Sequence, residues 1–439
     1  MKAIQGIGCA AALWAAGITA AGAAVTCRVE LDRGVLPAGA PQRAVVKVTL
    51  DAPKPPSTGE RPPVNLTIVL DRSGSMSGEK IERAKDAAIE ALRRLGPRDI
   101  FSLVIFDHEV ETVVPPQSAA RVEWIEPRIR AIQARGNTAL FAGISQGAAE
   151  IRKNIESDCV HRIILLSDGQ ANVGPSSPDD LGRFGEALRK ERISVTTIGV
   201  GNDYNEDLMT RLAERSDGNT YYVANHRDLA RIFNAELGDV LSVVARDVRI
   251  EIEFPDGVRP IRIIGRDGRI GARSVEVSLN QLYGGQAKYA LVEVEIPAGR
   301  EAETREVAAA RVRYENLLNQ RAEQTEGQAA VRFSSDERWV RESVNAAVQR
   351  DFVFNIIAEA KDRAVELADR RDNAGAAAAL RAQNKALQDL APNLDRETQA
   401  EIEKLEVEAR QIEKEGLRKE ERKAFRAESY QFRGQQQNR

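Results

Sequence analysis

A chain of 439 residues is long enough for two or three domains with full cores. Its 42% hydrophobic and 29% charged content is that of a soluble globular protein, and a formal net charge of -3 argues against nucleic acid as a general partner.

Residues 1–24 combine Lys2 with an Ala/Gly/Ile-rich stretch holding Leu13, Trp14 and Ile18, and end in Ala21-Gly22-Ala23-Ala24, the small-residue pattern that signal peptidase reads. The expectation is a cleaved signal peptide and an exported mature protein, periplasmic or extracellular. The rival is an uncleaved anchor helix, but the apolar core is short and Gly-rich for a span. Thr26 before Cys27 speaks against a lipoprotein signal. Cleavage removes Cys9 and leaves Cys27 and Cys159. A disulfide and two thiols both remain open there, because position in sequence does not show a Cα separation.

Residues 25–52 alternate in Cys27, Val29 and Leu31 and again in Val46, Val48 and Leu50, with Pro37, Ala38 and Gly39 between, which predicts two antiparallel strands. Two strands do not stand alone, so 25–55 is read as the opening of a β-sandwich, leading through a Pro-rich linker at Asp51–Pro63. Next comes VNLTIVLDRSGSM, Val64 to Met76, an apolar run that reads as a buried strand and ends abruptly in Asp71, Ser73 and Ser75. These three residues place oxygens on alternate positions of a tight turn relieved by Gly74, a donor set that suits a hard cation such as Mg²⁺. Gly136-Asn137-Thr138 supplies another hydroxyl, and Asp168 follows a second apolar run, Val160 to Leu166.

From residue 60 to 243 strands alternate with helices. Helices are predicted over 79–95, 121–134, 139–154, 178–191, 206–215 and 227–243, and strands over 100–106, 160–166, 193–200 and 220–223. Such alternation implies a parallel sheet covered on both sides, with ligands bound beyond the carboxyl ends of its strands. From Asp247 the period turns to two. Val248, Ile250, Ile252 and Phe254, then runs at 261–264, 274–279, 289–296 and 308–314, would complete the sandwich over 244–333. Residues 334–439 read as helical, opening on a capping box of Ser334 and Glu337. Ile402, Leu405, Ala409 and Ile412 are spaced for a helical seam, read either as a partner-binding arm or as a hairpin packed on its own sandwich. Residues 413–426 are read as a solvated charged face and 435–439 as disordered.

The pattern Asp-x-Ser-x-Ser, then Thr, then Asp resembles the metal-ion-dependent adhesion site of von Willebrand factor type A (VWA) domains, with Asp71, Ser73, Ser75, Thr138 and Asp168 matching in order over about residues 64–241. The insertion of such a domain in a β-sandwich is similar to bacterial envelope VWA proteins and, more distantly, to inter-alpha-trypsin-inhibitor heavy chains. The fold class expected is therefore α/β: a doubly wound, mostly parallel VWA sheet inserted in a β-sandwich and followed by a helical region.

Enzymatic readings lack their residues. A phosphatase would place a second carboxylate at Ser73, no phosphate-cradling Gly-rich loop ends in Lys-Ser or Lys-Thr, and Ser73 lacks a nucleophile elbow. His108, His161 and His226 have no zinc-type spacing and are expected as surface or loop residues. What remains is a non-enzymatic binding module. Ser73, Ser75 and Thr138 are neutral ligands, so an ion held by them, with Asp71 and Asp168 near or through water, keeps charge for a further anion. The resemblance implies that this anion is an Asp or Glu of a protein partner, and that the ion is Mg²⁺, with Mn²⁺ or Ca²⁺ as substitutes. The alternative is a structural envelope or scaffolding protein whose metal only stiffens the loops.

Overall fold

The computed structural model describes residues 24–54, 61–155, 158–169, 171, 173–201 and 203–438. The signal peptide read in residues 1–24, with Cys9, lies outside them except for Ala24. Among the described residues, no helix is long and apolar enough to cross a membrane.

The strand Val64–Asp71 is buried along its whole length. The cause is its central place in a six-stranded sheet ordered Val110–Ser118, Ile100–Phe106, Val64–Asp71, Val160–Ser167, Ile193–Val200, Thr220–Val223. The neighbours are parallel except for the outermost pair, where Val110–Ser118 runs antiparallel to Ile100–Phe106. This edge strand is absent from the sequence reading. Pro115 and Pro116 conceal it, since proline is confined to sheet edges. Helices Glu79–Arg94, Val122–Arg130 and Leu229–Leu241 pack on one face, and Leu140–Arg152, Pro178–Lys190 and Glu206–Ser216 on the other. Leu140–Arg152 approaches closely, because a Cβ at Gly147 would lie 2.5 Å from the Val69 side chain and one at Gly143 2.6 Å from the Phe106 ring. That closeness sets Thr138, just before the helix, above the carboxyl end of the central strand.

Two further sheets form the sandwich. One is ordered Thr26–Leu31, Gln42–Asp51, Gln286–Ile296, Arg259–Ile264; the other Arg269–Ile270, Ser274–Tyr283, Val243–Glu253, Thr304–Asn316, Arg321–Ser334, Val35–Pro37. The strand Arg321–Ser334 is not predicted, because its first eight residues, RAEQTEGQ, show no apolar face. No disulfide joins Cys27 and Cys159. Burial, then the charge of Asp51, pushes the Cys27 thiol up to about 11. His161 is corrected from a surface or loop residue to a strand residue only 3% exposed, and burial lowers its pKa to about 4.

The C-terminal region departs most from expectation. Ser334 and Glu337 do not form a capping box. Asp336 caps a short helix, Glu337–Glu342, and the long helix Ala346–Asp369 starts anew with Asn345 accepting from the Val348 amide. In place of a hairpin there is a bundle of Ala346–Asp369, Asn373–Leu387, Arg396–Glu415 and Lys419–Arg433. Ile402, Leu405, Ala409 and Ile412 are all buried in it, among Val365, Ala377 and Leu380, so the seam is consumed within the chain. The charged segment 413–426 is not simply a solvated face: Lys423 is 3% exposed and donates to the Tyr204 carbonyl (2.7 Å) and to Glu206, while Arg422 pairs with Glu206 and Asp207. Nor are residues 435–439 disordered as far as they are described. Gln436–Asn438 adds a strand to Gln286–Ile296, with Lys288 opposite Gln436.

Candidate metal centre

The first strand of a doubly wound sheet feeds connections to both sides, and the crevice beyond its carboxyl end is where such sheets bind ligands. Val64–Asp71 holds that position, with Ile100–Phe106 on one side and Val160–Ser167 on the other. Asp71 is 0% exposed, Ser73 2%, Asp168 1% and Thr138 4%, while Ser75 is exposed. The Asp71 carboxylate accepts from the Ser73 amide (2.7 Å) and from the Ser167 hydroxyl (2.5 Å). The Ser73 and Ser75 hydroxyls are 3.1 Å apart, and Ser75 donates to Asp168 at 2.6 Å. A Cβ on Gly169 would lie 2.8 Å from Thr138 Oγ1 and 3.6 Å from Asp71 Oδ2, so both oxygens border that bare backbone.

Backbone hydrogen bonds bring the Thr138 loop to the Asp71 loop. The Gly74 amide donates to Gly136 O (3.0 Å), Arg135 N to Arg72 O (2.6 Å) and Ala139 N to Asp107 O (2.7 Å). Gly136 has a φ of +73°, and a Cβ there would lie 2.3 Å from the His108 ring, so only glycine fits this crossing. All five residues named from the sequence therefore meet in one cluster.

The donor set suits a divalent cation. Two carboxylates and three hydroxyls, without nitrogen or sulfur, are hard ligands. Two buried carboxylates also require positive charge nearby. Lys80 supplies some of it, its ammonium bonding Asp168 Oδ2 and the Ser75 carbonyl (3.2 Å). Sequence reasoning missed Lys80. It lies in the first turn of Glu79–Arg94, the helix that follows the loop, and helical side chains lean toward the N-terminus, which was the available signal. Asp107, His108 and Glu109 form a neighbouring group, but Arg72 and Arg135 each reach Asp107 at 2.9 Å and already answer its charge.

Burial pushes the Asp71 carboxyl up to about 6, with the Asp168 charge acting the same way against hydrogen bonds from Ser167 and Ser73. Because the folded pKa is raised, its contribution to stability is fully present below the ordinary carboxyl value of 3.8 and is lost as pH rises through about 6. Without metal, the protein should lose about 3 kcal/mol from this group over that interval. Added Mg²⁺ should raise the melting temperature above pH 6 and have little effect at pH 5, where the proton competes. Melting curves with EDTA and with Mg²⁺ across pH 4.5–8 check this, and an equal Mg²⁺ shift at pH 5 and pH 7.5 would count against Asp71.

A doubly wound α/β domain with a cluster of carboxylates and hydroxyls at its switch point defines a class of recognition domains. Residues 65–235 match the von Willebrand factor type A domain family, and this part of the chain is a VWA domain. Over 231 residues the chain is 30% identical to protein YfbK of Escherichia coli, covering 52% of this chain and 40% of that one. It is 30% identical over 200 residues to human inter-alpha-trypsin inhibitor heavy chain H4, covering 44% and 21% respectively. The chain thus spans less than half the length of these relatives. A VWA protein from Catenulispora acidiphila has the same fold, with a TM-score of 0.66 at 18% identity over 84% of this chain and 88% of that one. The ArnB paralog VWA2 of Sulfolobus acidocaldarius superposes over 93% of this chain and 98% of its own, with a TM-score of 0.59 at 18% identity. VWA domains generally mediate protein–protein interaction and adhesion, and often bind a divalent metal.

Proposed function

We propose that this is an exported, non-enzymatic binding protein. It holds Mg²⁺ at Asp71, Ser73, Ser75, Thr138 and Asp168 and engages an Asp or Glu side chain of a protein partner. The carrying observation is the cluster itself: three uncharged hydroxyls and two buried carboxylates at the switch point, with Ser75 exposed to an incoming group. A divalent cation bound there supplies a centre of positive charge that the hydroxyls do not neutralise. The chain's own residues hold the loops in register and exclude water from the inner carboxylate edges. Export rests on the composition of residues 1–24.

The test is capture of a partner by the immobilised full chain from envelope extract, with Mg²⁺ or with EDTA, for wild type and Thr138→Ala. A partner retained only with Mg²⁺ and lost in Thr138→Ala is the expected result. Partners that ignore both changes would favour the structural role, in which metal only stiffens the loops. Thr138 is 4% exposed rather than a free loop residue, so Thr138→Ala should cost the fold about 1 kcal/mol, the scale of one hydrogen bond. A far larger loss of stability would assign Thr138 to the fold.

A further inference from the structure

A cleft of about 770 Å³ lies where the VWA domain, the sandwich and the last helix meet, far along the chain from the Asp71 loop. Its volume falls within the range of small-molecule sites, about 300–1,000 Å³. The cleft wall carries many charges, and most of them cancel. Arg215 pairs with Asp267 (3.1 Å), and Arg433 with Glu214 and Asp362 (3.0 Å each). Lys288 and Arg266 have no ion-pair partner among the described residues. Lys288 is 5% exposed, lines the cleft and donates to no described residue; its ammonium lies 4.8 Å from the centre of the Tyr283 ring. Arg266 uses Nε and one terminal nitrogen on the Tyr289 and Gly434 carbonyls and the Gln435 amide oxygen, all uncharged, and its other terminal nitrogen donates to no described residue. Burial lowers the pKa of both groups, and the Arg266 charge acts on Lys288 in the same direction. The Asp217 carboxylate is the strongest opposing charge on both groups, and it already accepts from the Asn280 amide. An ammonium buried without an acceptor is costly.

We propose that this cleft binds a small solute through an oxyanion group, phosphate or carboxylate, seated on Lys288 and Arg266. The site is separate from the metal centre, and its occupant would bridge residues of the sandwich strand Gln286–Ile296 and the turn before Arg269 with the VWA face of the cleft. An oxyanion there would pair with Lys288 and Arg266 and accept the donors that the chain leaves over.

The experiment is isothermal titration of the full chain with inorganic phosphate and, separately, with acetate. Both are done in EDTA, so that the Asp71 loop holds no metal to capture the anion. Saturable binding of one or both is expected, and which one binds tells phosphate from carboxylate chemistry. Lys288→Met should weaken it at least about tenfold, the loss of one charge-assisted hydrogen bond. Its melting temperature should be equal to wild type or higher, because an unpartnered buried charge is gone. Ser278→Glu, an exposed position on the cleft wall, should weaken binding by repulsion without touching the buried groups, and it decides the matter if Lys288→Met does not fold. Absence of saturable binding in wild type, wild-type affinity in a folded Lys288→Met, or, where that variant does not fold, wild-type affinity in Ser278→Glu would overturn the site.

Discussion

Asp71→Asn should abolish measurable Mg²⁺ binding while leaving the metal-free fold intact or more stable at neutral pH. The substitution keeps the shape of the side chain and one acceptor oxygen for the Ser73 amide, which bonds Asp71 Oδ1, while the new NH2 in place of Oδ2 donates to the Ser167 hydroxyl, which turns to accept it. What it removes is one of two charges buried together, and the raised pKa of Asp71, about 6, shows that without metal this charge is a burden on the fold. With metal the balance reverses, since the carboxylate then has a cation to face. Even indirect carboxylate partners of bound metals are worth ~10–100-fold in affinity, so calorimetry should find at least that loss. The metal-free variant should also lack the decline in melting temperature between pH 4 and pH 6 expected of wild type. Undiminished Mg²⁺ binding would place the ion elsewhere. A collapse of the metal-free fold would show that Asp71 serves the loop itself rather than an ion.

Arg162→Ala should destabilise the protein by roughly 3–5 kcal/mol, the cost of stranding one partner of a buried ion pair. Arg162 and Glu236 are both 0% exposed, with 3.3 Å between them. Arg162 also donates to Thr196 (3.2 Å) in the VWA sheet and to Gln281 (2.8 Å) and Tyr283 (2.9 Å) in the sandwich strand Ser274–Tyr283. Glu236 is reached in turn by Thr196, Asn219 (2.8 Å) and Tyr221 (3.2 Å). The network therefore joins the amino end of the VWA sheet to the sandwich, at the end away from Asp71 and Asp168. Removing the guanidinium leaves a carboxylate among neutral donors in a dry interface. Chemical denaturation measures the loss. In the double variant Arg162→Met with Glu236→Leu much of it should return, because apolar pairs often replace buried ion pairs at little cost. A loss below about 1 kcal/mol for Arg162→Ala would mean that water enters the network and that the two units are joined elsewhere.

The sequence by itself determined five of the six strands of the VWA sheet and the five residues that cluster beyond their carboxyl ends. A buried parallel strand is a continuous apolar run, such as Val64 to Leu70 or Val160 to Leu166, and the small polar residues after it have no other place than the carboxyl-end loops. Asp71, Ser73, Ser75 and Asp168 could be named because they stand where such a run breaks off, and Thr138, which precedes the helix Leu140–Arg152, because the order of the motif resembles the VWA metal site. Where elements are held by partners distant in the chain, the pattern is silent. The strand Arg321–Ser334 is polar at its start and exists through its pairing with Thr304–Asn316. The helix Lys419–Arg433, charged enough to read as solvated, is held by Glu206, Asp207 and the Tyr204 carbonyl across more than two hundred residues. Lys80, Arg162 and Lys288 belong to the same class. A basic residue is ordinary on a surface, and its meaning depends on whether burial puts a carboxylate beside it, as for Lys80 and Arg162, or leaves it facing a cleft, as for Lys288. Apolar periodicity is a local property of the chain and can be read along it. Charge pairing is a property of the folded surface, and only the tertiary structure decided which charges meet.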